Sequence, residues 1–203
     1  MSREPGRERA VQCARRRLLA GVCAALALAA CAPMAPREDT GRAARVPMPA
    51  FLLEGRLSAT DGQQAASGRV EWAHAPQTDR LTLFSPLGQI VARLDSGPEG
   101  ARLLSADGTR RDAASADALL PQVLGIELPA ARLPRWLQGT PDTGAEIRQR
   151  DDAGRPQVVI DQGWRIDYLD YVDARADALP ARLDISRGEA RIRLIIDTWT
   201  ALP

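Results

Sequence analysis

Leu81-Thr82-Leu83-Phe84-Ser85-Pro86-Leu87-Gly88-Gln89-Ile90-Val91-Ala92-Arg93-Leu94 places apolar residues at alternate positions on both sides of a turn signal. Leu81 and Leu83 alternate with Arg80 and Thr82, and Ile90, Ala92 and Leu94 alternate with Gln89 and Arg93. A period of two sends every second side chain to one face, so each run reads as a half-buried strand. Ser85-Pro86-Leu87-Gly88 supplies the turn residues that join two such strands side by side. The same pattern repeats outward. Leu57 and Ala59 alternate with Arg56 and Ser58, and Val70 and Trp72 with Arg69 and Glu71, with Asp61-Gly62 and Ala75-Pro76 as breaks. Ser96-Gly97-Pro98 and Asp107-Gly108 punctuate the following runs, the latter as a hairpin turn between Leu103-Leu104 and Thr109-Arg110. The first half of the domain is therefore predicted to be an antiparallel meander of about six strands.

Between Ala113 and Leu137 the pattern changes. Ser115 ahead of Ala116-Asp117-Ala118-Leu119-Leu120 reads as a capped helix start, and Pro134 suits the first turn of a second short helix that stops at Gly139. Strands then resume over Glu146 to Arg150, Gln157 to Ile160 and Trp164 to Tyr168. They close with a hairpin from Arg182 to Ile185 that turns at Arg187-Gly188 and returns through Ile192, Leu194 and Ile196. The count is about eleven strands and two short helices: a mainly β, α+β chain. An antiparallel sheet of that length with one apolar face must curl into a barrel-like form. Either it collapses on itself, or its concave face keeps apolar space for a hydrophobic guest.

The amino-terminal end has a different character. Arg15-Arg16-Arg17 precedes an apolar run from Leu18 to Ala30 that ends in Leu28-Ala29-Ala30-Cys31, the form of a lipoprotein signal peptide whose cut leaves an acylated cysteine at the new terminus. The run is too short for a spanning helix, since Pro33, Pro36, Arg37 and Glu38 follow it. Arg16-Arg17 leaves export by the twin-arginine route open beside the general one. Ala32 is not the aspartate that holds bacterial lipoproteins in the inner membrane, so an outer-membrane address facing the periplasm is expected. Residues 1–30 are thus expected to be a signal peptide, 31–50 a lipidated, Pro- and Ala-rich flexible tether, and 51–203 a single domain.

Loss of residues 1–30 removes six arginines and two glutamates and leaves 21 basic and 24 acidic residues, with no basic footprint for nucleic acid. Cys13 and Cys23 go with the leader and Cys31 is acylated, so the domain has no thiol to pair. Catalytic machinery is not evident. His74 is the one histidine, with no second histidine or thiol for a metal site or nucleophile pair, and is expected to be structural or solvated. Asp167, Asp170 and Asp173 read as a solvated face, because hard cations want oxygens converging in one loop. No phosphate-cradling loop or nucleophile elbow is present. Neither an enzyme, nor a cofactor, nor a metal is expected. Leu87 is a bulky apolar residue where a turn favours polar ones. It either folds back over the core or protrudes as an apolar finger, which would suit a brief touch on acyl chains. Trp72, Phe84, Trp136, Trp164, Tyr168 and Trp199 fall on apolar phases, and read either as ordinary core or as the wall of an acyl-chain pocket.

The ordered set Gly55-Arg56-Leu57, Gly68 with Trp72, Leu81 to Phe84 running into Pro86-Leu87-Gly88, Asp107-Gly108, Leu128-Pro129 with Leu133, Trp136-Leu137, Gly139, Pro141, Gly163-Trp164, Tyr168, Leu179-Pro180 and Trp199 resembles the LolB family of outer-membrane lipoprotein receptors, from about Phe51 to Thr200. The resemblance implies an incomplete antiparallel barrel with helices covering an apolar cavity. It also implies a role in accepting lipoproteins from the periplasmic carrier LolA and placing their acyl chains in the outer membrane. In the family an exposed loop leucine in a Pro-Leu-Gly turn matters for function, and Pro86, Leu87 and Gly88 match it as a membrane-insertion loop. The implied acyl-chain cavity is expected to involve Trp72, Leu83, Phe84, Trp136, Trp164, Tyr168, Leu194 and Trp199. Expected partners are LolA, the acyl chains of cargo lipoproteins and the outer membrane, for a protein acting as a monomer. Two rivals remain: a lipid- or glycolipid-binding lipoprotein with the same curled sheet, and a structural outer-membrane lipoprotein with a filled core.

Overall fold

The computed structural model describes residues 45–203; the expected leader, Cys31 and most of the tether lie outside the described residues. Eleven strands form one antiparallel sheet: β1 (Phe51–Thr60), β2 (Ala65–Ala75), β3 (Thr78–Phe84), β4 (Ile90–Gly97), β5 (Gly100–Ser105), β6 (Arg110–Ala113), β7 (Glu146–Arg150), β8 (Pro156–Asp161), β9 (Trp164–Tyr171), β10 (Pro180–Arg187) and β11 (Ala190–Ala201). Their spatial order is β6-β5-β4-β3-β2-β1-β11-β10-β9-β8-β7, so the first and last strands pair in the middle and β6 and β7 are the two free edges. The sheet does not close. The connection from β6 to β7 carries the two short helices, α1 (Leu120–Leu124) and α2 (Leu133–Leu137), each preceded by a single 3-10 turn.

Curling needs places where strands approach closely or slip, and two glycines provide them. Gly55 sits at a bulge in the β1–β11 pairing, where a Cβ would lie 2.3 Å from the Ile195 carbonyl oxygen. At Gly68 it would lie 2.0 Å from the Phe84 carbonyl oxygen. At both positions the neighbouring backbone leaves a side chain no room.

The helical segment differs from expectation at its start. Ser115 makes no side-chain cap. Instead the Asp117 carboxylate accepts the Ala130 backbone N–H at 2.6 Å, tying the entry of one half of the segment to the entry of the other. Pro134 does occupy the first turn of α2, and Gly139 ends that run at φ 64°.

Residues 45–50, expected as the end of the tether, are packed on the domain. The buried Gln138 carboxamide accepts the Met48 N–H at 2.6 Å and donates to the Met48 carbonyl at 3.2 Å. The Arg45 guanidinium donates to the Gln138 carbonyl at 3.3 Å and to the Ala178 carbonyl, and lies over the Tyr171 ring. Among the described residues no helix is long and apolar enough to cross a membrane.

Candidate functional site: an apolar cavity and an exposed turn

Inward positions of the central strands and the inner sides of both helices enclose a cavity of about 70 Å³. The sheet contributes Leu53, Leu57, Val70, Trp72, Leu81, Leu94, Ile185, Ile192 and Leu194; the helical segment contributes Leu120, Leu124, Leu128, Leu133 and Leu137. An interval of four puts Leu120 and Leu124 on one side of α1, and Leu133 and Leu137 on one side of α2, toward the sheet, while Leu128 joins them from the connection after Gly125 ends α1. Branched aliphatic side chains carry no polar atom that needs a partner, so the wall can stay dry without penalty. Polar groups enter chiefly through Ser96 and Asp79. The Asp79 carboxylate is already engaged, accepting the Trp72 indole N–H at 2.8 Å and lying 2.7 Å from His74 Nδ1. His74 in turn packs 5.0 Å from the Phe51 ring, a structural position.

The residues expected to line the cavity divide sharply. Trp72 and Leu194 line it. Leu83, Phe84, Trp136, Trp164, Tyr168 and Trp199 do not. Leu83 is buried in the core beside it. Phe84 is half-buried, with the Arg69 guanidinium 4.4 Å from its ring centre. Trp136 is wholly buried and packs 6.3 Å from Trp164, its N–H donating to the buried Asp161 carboxylate at 2.8 Å. The Tyr168 hydroxyl donates to the Trp136 carbonyl at 2.7 Å, and burial pushes this phenol's pKa well above its ordinary value. Trp199 donates to the Pro180 carbonyl at 2.9 Å and packs edge-on against Phe51. For Trp136, Tyr168 and Trp199 the reason is chemical: each places its donor on an acceptor away from the hydrocarbon wall, whereas Trp72 finds its acceptor, Asp79, at the wall itself.

The loop from Ser85 to Gln89 is built to hold its tip outward. The Ser85 N–H donates to the Gln89 carbonyl at 2.8 Å, the Gly88 N–H returns to the Ser85 carbonyl at 2.9 Å, and Gly88 adopts φ 82°. Pro86 is exposed, and Leu87 is 89% exposed with its side chain in solvent. Of the two readings of Leu87, the geometry is that of a protruding finger.

Residues 49–199 match the family model described as Outer membrane lipoprotein LolB. The chain belongs to the LolB family. A LolB from Azoarcus sp. (strain BH72) is 54% identical over 190 residues, covering 93% of this chain and 98% of the relative, and one from Thiobacillus denitrificans is 40% identical over 193 residues, covering 93% and 100%. Both carry the name outer-membrane lipoprotein, in keeping with the address expected from the sequence. A crystal structure of a LolA superfamily protein from Nitrosomonas europaea aligns with a TM-score of 0.50 at 8% identity, covering 79% of this chain and 89% of that one, so the two chains share the curled-sheet fold.

Proposed function

We propose that this LolB-family chain accepts lipoproteins from the periplasmic carrier LolA in its apolar cavity and releases their acyl chains into the outer membrane, held there by acylated Cys31 after removal of residues 1–30. The observation that carries the reading is the cavity wall of leucine, isoleucine and valine beneath two helices. Each methylene kept from water is worth about 0.8 kcal/mol, so a triacylated anchor needs an apolar shelter at every stage of an aqueous crossing. Transfer runs downhill if this cavity holds the chains more tightly than the carrier and the bilayer more tightly still. No bond is made or broken, and no enzyme chemistry or cofactor is required.

In this state the cavity has room for only a few methylene-sized groups, so cargo enters by displacing the lid or the side chains beneath it. That small volume also favours a second reading, a structural lipoprotein with a filled core. An apolar fluorescent probe separates the two: saturable binding that cargo acyl chains displace supports the acceptor, and no binding supports the filled core. The direct test reconstitutes the full mature chain in vesicles and adds cargo-loaded LolA. Native protein should move cargo into the vesicles, whereas Leu87→Glu should take cargo from the carrier and release it slowly. Normal insertion by that variant would remove Leu87 from the account.

A further inference from the structure

The outer face of the sheet beside the Leu87 turn has a feature that neither the cavity nor the turn uses. Ile90, at the start of β4, is 43% exposed, and Leu104, near the end of β5, is 44% exposed. These are large aliphatic side chains whose outward neighbours on β3, β5 and β6 are arginines and acids; the other exposed leucine within a strand, Leu169, is on β9, away from the turn. Arg93 lies directly across the ladder from Leu104, and a bulge in the β3–β4 pairing, where Leu83 faces Ala92 but Phe84 faces Ile90, turns Ile90 out of the Ala92 and Leu94 phase onto the face that carries Arg93. Along this face Arg56, Arg69, Arg80, Arg102 and Arg110 each pair with a carboxylate. Arg93 has no hydrogen-bond or ion-pair partner among the described residues, and its Nε is buried without an acceptor. An unpaired guanidinium set among exposed aliphatic groups is complementary to one kind of surface, a layer of phosphate groups above acyl chains.

We propose that Leu87 is one point of a membrane-contact face completed by Ile90 and Leu104, with Arg93 as its phosphate-binding group, and that the occupant of this face is the phospholipid bilayer. The proposal rests on the reading of Leu87 as a membrane contact. It adds what one leucine cannot supply. A single apolar point leaves the domain free to tilt about it, whereas three points and a cation fix which side of the sheet faces the lipid.

The test uses the full mature, lipid-anchored protein in vesicles of phosphatidylethanolamine and phosphatidylglycerol. An environment-sensitive fluorophore is placed at one position at a time through Leu87→Cys, Ile90→Cys, Leu104→Cys and, in the turn after β9, Val172→Cys. Labels at 87, 90 and 104 should be quenched by brominated acyl chains, and the label at 172 should not. Arg93→Gln should lower the inserted fraction of the label at 90 about fivefold, the effect of one basic group at an anionic lipid surface. Quenching at 87 without quenching at 90 and 104 would overturn the three-point face and leave the finger standing. No quenching at 87 would instead remove the reading beneath it. A label at 90 that responds to loaded LolA and not to vesicles would assign the face to the carrier and overturn the proposal, and an Arg93→Gln protein that behaves as the native one would overturn the role of the guanidinium.

Discussion

At Gly68 a Cβ would meet the Phe84 carbonyl oxygen at 2.0 Å, a backbone atom that cannot swing aside. Gly68→Ala is expected to force β2 and β3 apart at a cost of about 3 kcal/mol, a fall of roughly 6–12 °C in Tm for a domain of this size; differential scanning calorimetry checks it. Leu87 is the opposite case. With 89% of its surface in solvent it supports no packing, so Leu87→Glu should change the stability by no more than about 0.5 kcal/mol, the range of surface substitutions. The same change removes the roughly 2 kcal/mol that one leucine gains in hydrocarbon, so slow insertion on an intact fold is the expected signature. The position of Leu87 was legible in the sequence because proline before it and glycine after it leave little choice but a turn. Its direction was not, because a leucine that folds back and one that protrudes have the same neighbours in the chain.

Most strands were legible from periodicity, and the turn residues set their ends; Ile90 departs from the alternation with Ala92 and Leu94 because a bulge in the β3–β4 pairing turns it to the outer face. The helical segment was only half legible. Ser115 looked like a cap by residue type, but the bond that organises the entry comes from Asp117 to the Ala130 N–H, a contact across thirteen positions that no local pattern encodes. Of the aromatics on apolar phases only Trp72 reaches the apolar cavity, and the spacing of Leu120 with Leu124 and of Leu133 with Leu137 is the sequence signal for its helical side. The two helices are also held differently. α2 is tied by Trp136 to Asp161 at 2.8 Å, by the Tyr168 hydroxyl to the Trp136 carbonyl at 2.7 Å, and by Gln138 to Met48. α1 presents Leu120 and Leu124 to the cavity. Asp161→Ala should leave the buried Trp136 N–H without its acceptor and cost about 1–3 kcal/mol. A lower urea midpoint with a changed near-ultraviolet tryptophan signal is the expected result.

Across the whole molecule the pairing of β1 with β11 joins the two ends of the domain in the middle of the sheet. That register could not be read from either strand alone, because both simply alternate; it follows from a meander that starts and finishes at the same seam. Titratable groups bound the pH range of the fold. Backbone N–H groups hold Asp61, Asp107 and Asp173 below the usual aspartate value, and Arg102 and Arg110 do the same for Asp112. A carboxylate more acidic in the folded state contributes stability above its unfolded pKa and loses it as the pH falls through the folded one, so the urea midpoint should drop below about pH 4. Burial raises the Tyr168 and Tyr171 phenols. Their contribution is complete below the unfolded value and fades as the pH rises beyond about 10. A flat midpoint between about pH 6 and 9, falling on both sides, is expected. The central claim is that acyl chains lodge against the aliphatic wall. A photo-activatable cross-linker at Leu194, and separately at Trp164, in the full mature protein given LolA loaded with cargo carrying labelled acyl chains, tests it most directly. Labelled acyl adducts at 194 and none at 164 are expected; cargo that passes into vesicles with no adduct at 194 would contradict the account.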